Sequence, residues 1–314
     1  MRGDWLLWKL RSNGLRILCY HGVCEDRLAG EPWIPSEFVA QSAFEAHLQY
    51  LRHSTSVLPL SEAIVRLREG SLPPRSVSLT FDDGYANNLQ LAYPVLEKYR
   101  TPATIFLSTA YMESGDFFPF LRQRLVGMEG QRTAITSGCS AGQPLLDYKS
   151  NPLDLVIDRT DQCWPDVRNR LSEDQERTLR PLTVEEVRRA DSQLLEFGAH
   201  SHTHCILKNE KPERRQQEIR TSIAKVRLWT GRPARLFSYP NGQRGDFGDA
   251  DKKVLVSEGI LGAVSGIRGV NDGGSDLLEL KRYPVGLYHD CAGFSAELVG
   301  FRSILLAVSR SLPS

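Results

Sequence analysis

The chain has 314 residues, of which 41% are hydrophobic and 25% are charged, a composition typical of a globular protein with a substantial core. Its 39 basic and 38 acidic residues leave a net charge of +1, which excludes an electrostatic basis for binding nucleic acid. The 6 cysteines show no CxxC motif and no regular spacing, so they indicate free thiols rather than a disulfide framework.

The N-terminal segment does not have the pattern of an export signal. It lacks the apolar core and the small-residue cleavage site of a secretory leader. The chain also contains no run of about 18 apolar residues, the length that a transmembrane helix needs. We therefore expect a cytoplasmic protein without a transmembrane segment.

Short apolar runs of strand length alternate with helical patterns over most of the chain. The runs predict strands at 15–20, 77–81, 103–108, 195–199, 236–239, 260–265 and 280–285. Helices are predicted over 41–52, 87–100 and 183–190 and around 219–226, and Pro94 is expected to kink the second of them. This alternation predicts an α/β fold with a parallel sheet or barrel.

The segment from about 112 to 182 interrupts this alternation. It begins with the aromatic cluster Phe117-Phe118-Pro119-Phe120 and continues through a Gly/Ser/Thr stretch into a polar, charge-rich region. We expect an insertion between two barrel units, so that residues 1–314 form a single domain. Such an insertion could serve as a lid or a substrate-binding flap, or it could be a plain surface elaboration.

Polar residues repeatedly follow the predicted strands. The carboxyl ends of parallel strands meet on one rim of an α/β barrel, and that rim carries the chemistry. Several polar strand ends on one rim are hard to explain by structural needs alone. The residues concerned are His21, Asp82, Asp83, His200, Asn241 and Arg282.

The adjacent Asp82 and Asp83 should repel each other unless a cation lies close by. The four-residue spacing of His200 and His204 is expected to place both imidazoles on one side of a helical turn, whereas His202 should point away. One carboxylate with two imidazoles is a common ligand set for a hydrolytic divalent metal. The second carboxylate would then suit a base that activates water.

These strings resemble the polysaccharide deacetylase family, also called the NodB-homology domain or carbohydrate esterase family 4. Thr80-Phe81-Asp82-Asp83-Gly84-Tyr85 resembles the family's first motif, and His200-Ser201-His202-Thr203-His204 resembles its second. The resemblance covers about 15–110 and 183–300 and leaves the 112–182 insertion unmatched. It implies a distorted (β/α)7 barrel that holds a divalent metal, with Zn²⁺ favoured over Ni²⁺, Co²⁺ or Mn²⁺.

Three further strings resemble a permuted branch of the family that includes poly-N-acetylglucosamine deacetylases. In that branch an early Tyr-His strand supplies the general acid, which implies His21 in this role, with His289 as the runner-up. The usual third motif, Arg-x-Pro-Tyr/Phe, is replaced by Phe237-Ser238-Tyr239-Pro240, so its oxyanion details do not carry over. The three strings are Tyr20-His21-Gly22-Val23, Phe237-Ser238-Tyr239-Pro240-Asn241-Gly242 and Arg282-Tyr283-Pro284-Val285.

The resemblance also implies a role for each remaining site residue. Asp83, His200 and His204 would bind the metal, and Asp82 would be the general base. Arg282 would pair with Asp82 and keep it ionised. Tyr239 would line the sugar pocket, with its peptide N–H as a candidate oxyanion donor.

The implied activity is the metal-dependent removal of acetyl from an N-acetylated carbohydrate. One alternative is hydrolysis of another C–N amide or of an O-acetyl ester, because the metal site does not distinguish acyl linkages by itself. An alternative of a different class is a catalytically silent carbohydrate-binding protein. Because no export signal is seen, we expect a nucleotide-linked, lipid-linked or small glycoside rather than an exported polymer.

Overall fold

The computed structural model describes residues 14–133, 146–191, 193–287 and 291–298. The strands are β1 (Arg16–Tyr20), β2 (Val23–Cys24), β3 (Val39–Ala40), β4 (Ser56–Val57), β5 (Ser76–Phe81), β6 (Ala103–Leu107), β7 (Leu195–Ala199), β8 (Leu236–Ser238), β9 (Gly262–Val264) and β10 (Tyr283–Pro284). The α-helices are Gln41–Ser54, Leu60–Glu69, Tyr93–Tyr99, Thr109–Ser114, Pro119–Thr133, Leu153–Asp161, Trp164–Arg168, Glu173–Leu179, Val184–Arg189, Pro212–Thr230, Asp249–Ser257 and Cys291–Leu298. Short 3₁₀ helices cover Asp26–Leu28 and Leu207–Asn209, and a π-helix covers Asn88–Ala92.

The main sheet is parallel and follows the order β10-β1-β5-β6-β7-β8-β9, with β4 paired to the start of β5 off this path. Its two ends meet at the segment 280–284. Leu280 bridges Val264 at one end, and Tyr283 pairs with Leu18 at the other. The predicted parallel α/β barrel is therefore confirmed. Among the described residues, only a single bridge at Leu280 and a two-residue pairing at Tyr283–Pro284 join its two ends.

One local expectation differs from the structure. The strand predicted at 280–285 is reduced to Tyr283–Pro284, since the Arg282 N–H donates to the Ile267 carbonyl instead of to a strand neighbour. Pro94 lies within a continuous helical stretch, because the α-helix Tyr93–Tyr99 follows the π-helix Asn88–Ala92 without a break. The change from π- to α-helix falls next to the proline, and such a change in the hydrogen-bond ladder is a usual place for a helix to bend, so the expected kink stays a prediction.

An apolar cluster fills the amino end of the barrel. It combines inward-facing strand residues such as Ile17 and Phe106 with Ile64 from the helix Leu60–Glu69. Alternate residues of a strand share a face, so Cys19 and His21 follow Ile17 on the lumen side of β1. Because apolar side chains fill the amino end, the polar residues of the lumen lie at the carboxyl ends of the strands, as the strand pattern predicts.

The described part of the 112–182 segment packs against the barrel through its aromatic residues. The Phe118 ring lies edge-on to Tyr85, with centroids 4.9 Å apart, and edge-on to Tyr111 at 5.1 Å. Phe117 and Phe118 are fully buried. None of the described helices is long and apolar enough to cross a membrane.

Candidate metal and catalytic site

A cavity of about 380 Å³ opens at the carboxyl ends of the strands. Residues from the barrel and from the insertion line it together. The barrel supplies seven of the residues singled out from the sequence, namely His21, Asp82, Asp83, His200, His204, Asn241 and Arg282. The insertion supplies Phe120, Leu121, Arg124, Tyr148 and Lys149.

A tight turn after β5 sends the two neighbouring carboxylates in different directions. The Gly84 N–H donates to the Asp82 carbonyl at 2.9 Å, and Asp83 takes a φ of 71°, a conformation that aspartate tolerates better than most residues. Gly84 has a φ of +87°, and a Cβ there would meet Leu107 and Met112 at 2.8 Å. The Asp-Asp-Gly sequence therefore suits this turn.

Asp83, His200 and His204 converge within the cavity. Asp83 Oδ1 lies 3.0 Å from His204 Nε2 and 3.5 Å from His200 Nε2. Asp83 and His200 are each only 1% exposed, and His204 is 6% exposed. Their donor atoms all lie within 4.8 Å of one another.

The two histidines do not lie on a helical turn, so that expectation is wrong. Residues 200–205 form a loop in which Ser201 and His204 take φ values of 56° and 58°. Buried Glu218, from the helix Pro212–Thr230, accepts the peptide N–H groups of His202 and Thr203 at 2.9 and 2.8 Å. The loop conformation is thus imposed by a distant carboxylate rather than by local spacing.

His202 lies outside the cavity lining. Its Nδ1 is 2.9 Å from Thr109 Oγ1, and its ring does not join the group of donor atoms at Asp83. Burial lowers the pKa of this imidazole, and the nearby Glu218 only partly offsets the effect. The side chain therefore supports the loop from the outside.

A backbone carbonyl sets the tautomer of His200. Its Nδ1 lies 2.7 Å from the carbonyl oxygen of Ser238, which can only accept a hydrogen bond. Nδ1 therefore carries the proton, and the lone pair of Nε2 is directed towards Asp83. This is the arrangement that a metal-binding imidazole requires.

The residues fit a divalent metal. Among the described residues, Asp83 Oδ1 has no hydrogen-bond partner although it is buried, and such an orphaned carboxylate oxygen is costly. Two imidazole nitrogens lie beside it. A borderline-soft divalent cation would satisfy all three atoms.

Cys19, His21 and Asp82 form a second group of donor atoms within 4.8 Å of one another. This group fits a cation poorly, because the Arg282 guanidinium already holds both Asp82 oxygens. Nη1 donates to Oδ1 at 2.8 Å, and Nη2 donates to Oδ2 at 2.6 Å. The fork-on-fork pair takes one lone pair of each oxygen and places a fixed positive charge beside the carboxylate, which disfavours a second cation there.

The same ion pair keeps Asp82 ionised. Burial alone would raise the pKa of this carboxyl, but the charge of Arg282 outweighs burial and holds the pKa well below its usual range. Ser238 Oγ and the Cys19 thiol also donate to Oδ2, at 3.2 and 3.6 Å. Arg282 is anchored in turn by the Ser265 carbonyl, which accepts from Nε at 2.8 Å.

His21 lines the same cavity. Its Nδ1 is buried without a hydrogen-bond partner among the described residues. Asn88 donates to its backbone carbonyl at 2.8 Å and so holds the strand end in place. His289, the runner-up for the acid role, lies outside the residues that the structure describes.

Tyr239, which was expected to line the sugar pocket, is not among the residues that line this cavity. Its hydroxyl donates to the Leu278 carbonyl at 2.9 Å, and its peptide N–H donates to the Val264 carbonyl at 3.1 Å. Its ring stacks on that of Phe247 with the centroids 3.8 Å apart. The alternation of side chains along β8 turns Ser238 towards Asp82 and Tyr239 to the opposite face. Asn241, after the strand, lines the cavity instead.

Several residues at the site were not predicted from the sequence. The alternation along β8 places Ser238 and Tyr239 on opposite faces but does not show which of the two faces the lumen. The position of Cys19 two residues before His21 could have indicated its thiol. Nothing in the local pattern points to Glu218 or to Tyr148, because both reach the site through long-range packing.

The chain is similar to curated bacterial enzymes over part of its length. It is 38% identical over 118 residues to the poly-beta-1,6-N-acetyl-D-glucosamine N-deacetylase of Staphylococcus aureus strain MSSA476, an alignment that covers 35% of this chain and 41% of that protein. The Staphylococcus epidermidis protein of the same name is 34% identical over 118 residues. The chain thus spans about 41% of the length of these relatives.

Solved structures share the fold over nearly the whole chain. The Streptococcus pyogenes deacetylase PplD in complex with acetate matches with a TM-score of 0.62 at 18% identity, covering 91% of this chain and 99% of that chain. IcaB from Ammonifex degensii matches with a TM-score of 0.61 at 18% identity, covering 91% and 97%. At this identity the likeness concerns the fold alone.

The model of the family described as "Polysaccharide deacetylase" matches residues 69–255. This range is more than half of the chain, and it contains both the Asp82-Asp83 turn and the loop that carries His200 and His204. The chain therefore belongs to the polysaccharide deacetylase family.

Proposed function

We propose that this protein is a metal-dependent N-deacetylase, which releases acetate from an N-acetylated sugar. The observation that carries the proposal is the presence, in one cavity, of a carboxylate–imidazole–imidazole set beside an ionised carboxylate and a histidine. We assign metal binding to Asp83, His200 and His204, with Zn²⁺ preferred. When bound, such an ion supplies Lewis acidity and lowers the pKa of water.

Asp82 acts as the general base in this proposal. Its carboxylate is held ionised by Arg282, so it can take a proton from water at neutral pH. The bidentate contact also fixes the orientation of the carboxylate. Arg282 is therefore a positioning residue rather than a proton carrier, because a guanidinium stays protonated.

His21 acts as the general acid. An amine leaves an acetamide only when its nitrogen receives a proton, whereas an ester releases its alcohol more readily. His21 lines the cavity near Asp82, where a proton could reach the departing nitrogen. The need for an acid favours the amide over the O-acetyl ester as the natural linkage.

The substrate class that we propose is an N-acetylglucosamine unit. This proposal is supported by the similarity to the two staphylococcal relatives, which are N-deacetylases of poly-beta-1,6-N-acetyl-D-glucosamine. We further propose that the 112–182 insertion belongs to the same single domain and helps to bind the sugar, since Phe120 and Tyr148 line the cavity. The expected nucleotide-linked, lipid-linked or small glycoside stays a prediction for the assay to decide.

Acetate release tests the proposal. The zinc-loaded protein would be assayed on β-1,6-linked N-acetylglucosamine oligomers, nucleotide and lipid-linked N-acetyl sugars, small N-acetyl glycosides and O-acetylated sugars. We expect acetate from at least one N-acetylated sugar, loss of activity on chelation, and recovery on adding zinc. The Asp82→Asn variant should retain its metal but lose at least about 100-fold in turnover, the scale of a general base.

Three outcomes would contradict parts of the proposal. Acetate from O-acetylated sugars alone would assign an esterase. Binding of a sugar without acetate release across the whole panel would assign a catalytically silent carbohydrate-binding protein. Turnover of Asp82→Asn within a few-fold of the wild type would remove Asp82 as the base.

A further inference from the structure

Tyr148 lies in the described part of the 112–182 insertion and contacts the ring of His204. We propose that Tyr148 is a positioning residue that holds His204 in the tautomer and orientation needed for metal binding. The inference rests on the proposed metal site, and it assigns part of that site to a segment outside the barrel. Tyr148 is 9% exposed, and the contacts of its hydroxyl with His204 are buried.

The hydrogen bonds of Tyr148 determine which nitrogen of His204 carries the proton. The phenol hydroxyl donates to the backbone carbonyl of His204, an atom that can only accept. The phenol oxygen also lies 2.6 Å from His204 Nδ1. Because the phenol proton is committed to the carbonyl, the oxygen must accept, and Nδ1 must carry a hydrogen.

This tautomer leaves the lone pair on Nε2. That nitrogen lies 3.0 Å from Asp83 Oδ1, the orphaned carboxylate oxygen. The opposite tautomer would place a hydrogen on Nε2 and would hydrogen-bond Asp83 instead of binding a cation. Tyr148 therefore favours the metal-ready form before any metal arrives.

Aromatic packing fixes the orientation of the His204 ring, whose proton is set by the hydrogen bonds. The Tyr148 ring stacks on His204 at a centroid distance of 5.9 Å and an angle of 24°, and the Phe120 ring lies 5.2 Å away at 52°. Phe118 completes this cage at 6.4 Å. All three aromatic residues come from the insertion, so the imidazole is enclosed from that side.

The two metal-binding histidines are thus oriented by different parts of the chain. The barrel orients His200 through the Ser238 carbonyl on β8. The insertion orients His204 through Tyr148. The metal site is therefore complete only when the insertion is folded against the barrel, which links a region lining the sugar cavity to metal affinity.

The test compares zinc affinity in Tyr148→Phe and the wild type, measured by competition with a chromogenic chelator. We expect about 10- to 100-fold weaker binding in the variant, the usual effect of removing a hydrogen-bond partner from a ligand histidine. The visible absorption bands of the cobalt-substituted protein should shift in position or intensity. The thermal midpoint of the metal-free protein should change much less than the affinity.

Tyr20→Phe is the matched control. The Tyr20 hydroxyl also lies against a histidine Nδ1, that of buried His47 at 3.2 Å, but the pair packs outside the barrel lumen against Phe44. This variant removes the same kind of bond from another buried pair. Its zinc affinity and its cobalt spectrum should match those of the wild type.

A second measurement uses the wild type alone and so does not depend on whether a variant folds. Two-bond ¹H–¹⁵N spectra of the metal-free wild type should show His204 as the Nδ1–H tautomer. The Nε2–H tautomer there, or wild-type zinc affinity with an unchanged cobalt spectrum in Tyr148→Phe, would overturn the proposal. Failure of the wild type to bind zinc, or unchanged binding in Asp83→Ala, would instead reject the proposed metal site.

Discussion

Replacing Arg282 with methionine should expose how much the protein depends on the Asp82–Arg282 pair. The substitution keeps an apolar stem of similar reach but removes the guanidinium. Two charge-assisted hydrogen bonds to Asp82, at 2.8 and 2.6 Å, are lost. The bonds to the Ser265 carbonyl and to Thr80 Oγ1, at 2.8 and 3.1 Å, are lost with them.

The magnitude follows from burial. Asp82 and Arg282 are only 3% and 2% exposed, so the variant leaves a buried carboxylate with only the Ser238 and Cys19 donors. Breaking a buried pair by removing one partner costs about 3–5 kcal/mol. We expect a loss of this size in the free energy of unfolding near neutral pH, together with a loss of deacetylase turnover.

The loss should depend on pH. In the wild type the lowered pKa of Asp82 adds stability above the unfolded-state value of about 4, and this stability is lost as the pH falls towards the folded pKa. In the variant, burial without the cation should raise that pKa, so ionisation costs stability as the pH rises. The difference between the two proteins should therefore be larger at about pH 7 than at about pH 4.

Urea unfolding of the metal-free proteins measures this difference. Arg27→Met is the control, because Arg27 makes an equally short bidentate contact with Asp174 but is 55% exposed, and exposed pairs contribute about 0–1 kcal/mol. Equal losses in the two variants would refute the reasoning from burial. A loss in Arg282→Met that does not grow with pH would refute the assignment of Asp82 as the affected group.

Two further substitutions test other parts of the site. His21→Ala should reduce the kcat for hydrolysis of an N-acetyl sugar by at least about 100-fold, the scale of a general acid, whereas His289→Ala and the exposed His53→Ala should not. A loss in His289→Ala without one in His21→Ala would move the acid role to His289. Glu218→Gln removes the negative charge that accepts the two loop N–H groups and the Thr203 hydroxyl, bonds to a charged group worth about 1.5–3 kcal/mol each. It should weaken zinc binding and lower stability, as measured by chelator competition and thermal unfolding; unchanged zinc affinity would show that the loop holds His204 without this carboxylate.

Much of the fold could be predicted because its determinants are local. Apolar runs of strand length alternate with amphipathic helices, and a right-handed succession of such units builds a parallel sheet. Strands β5, β6 and β7 lie within a residue or so of their predicted positions. The 280–285 run was less predictable, because the Arg282 N–H bonds to a loop carbonyl rather than to a strand.

The chemical types at the strand ends could also be predicted. A polar residue directly after an apolar strand must lie at the carboxyl end of the sheet, so Asp82, Asp83 and His200 had to share one rim. The direction of each side chain was harder to predict. Tyr239 and Ser238 are neighbours in sequence, yet only the observed register of β8 shows that Ser238 faces Asp82.

The amino-acid sequence by itself determined where the strands occur along the chain, the Asp-Asp-Gly turn and the histidines that follow β7, because these depend on neighbours along the chain. The tertiary structure alone decided how the histidines become ligands. His204 owes its backbone to Glu218 and its ring orientation to Tyr148, residues that reach it only through folding. Local spacing cannot encode such contacts, since they depend on where distant helices pack.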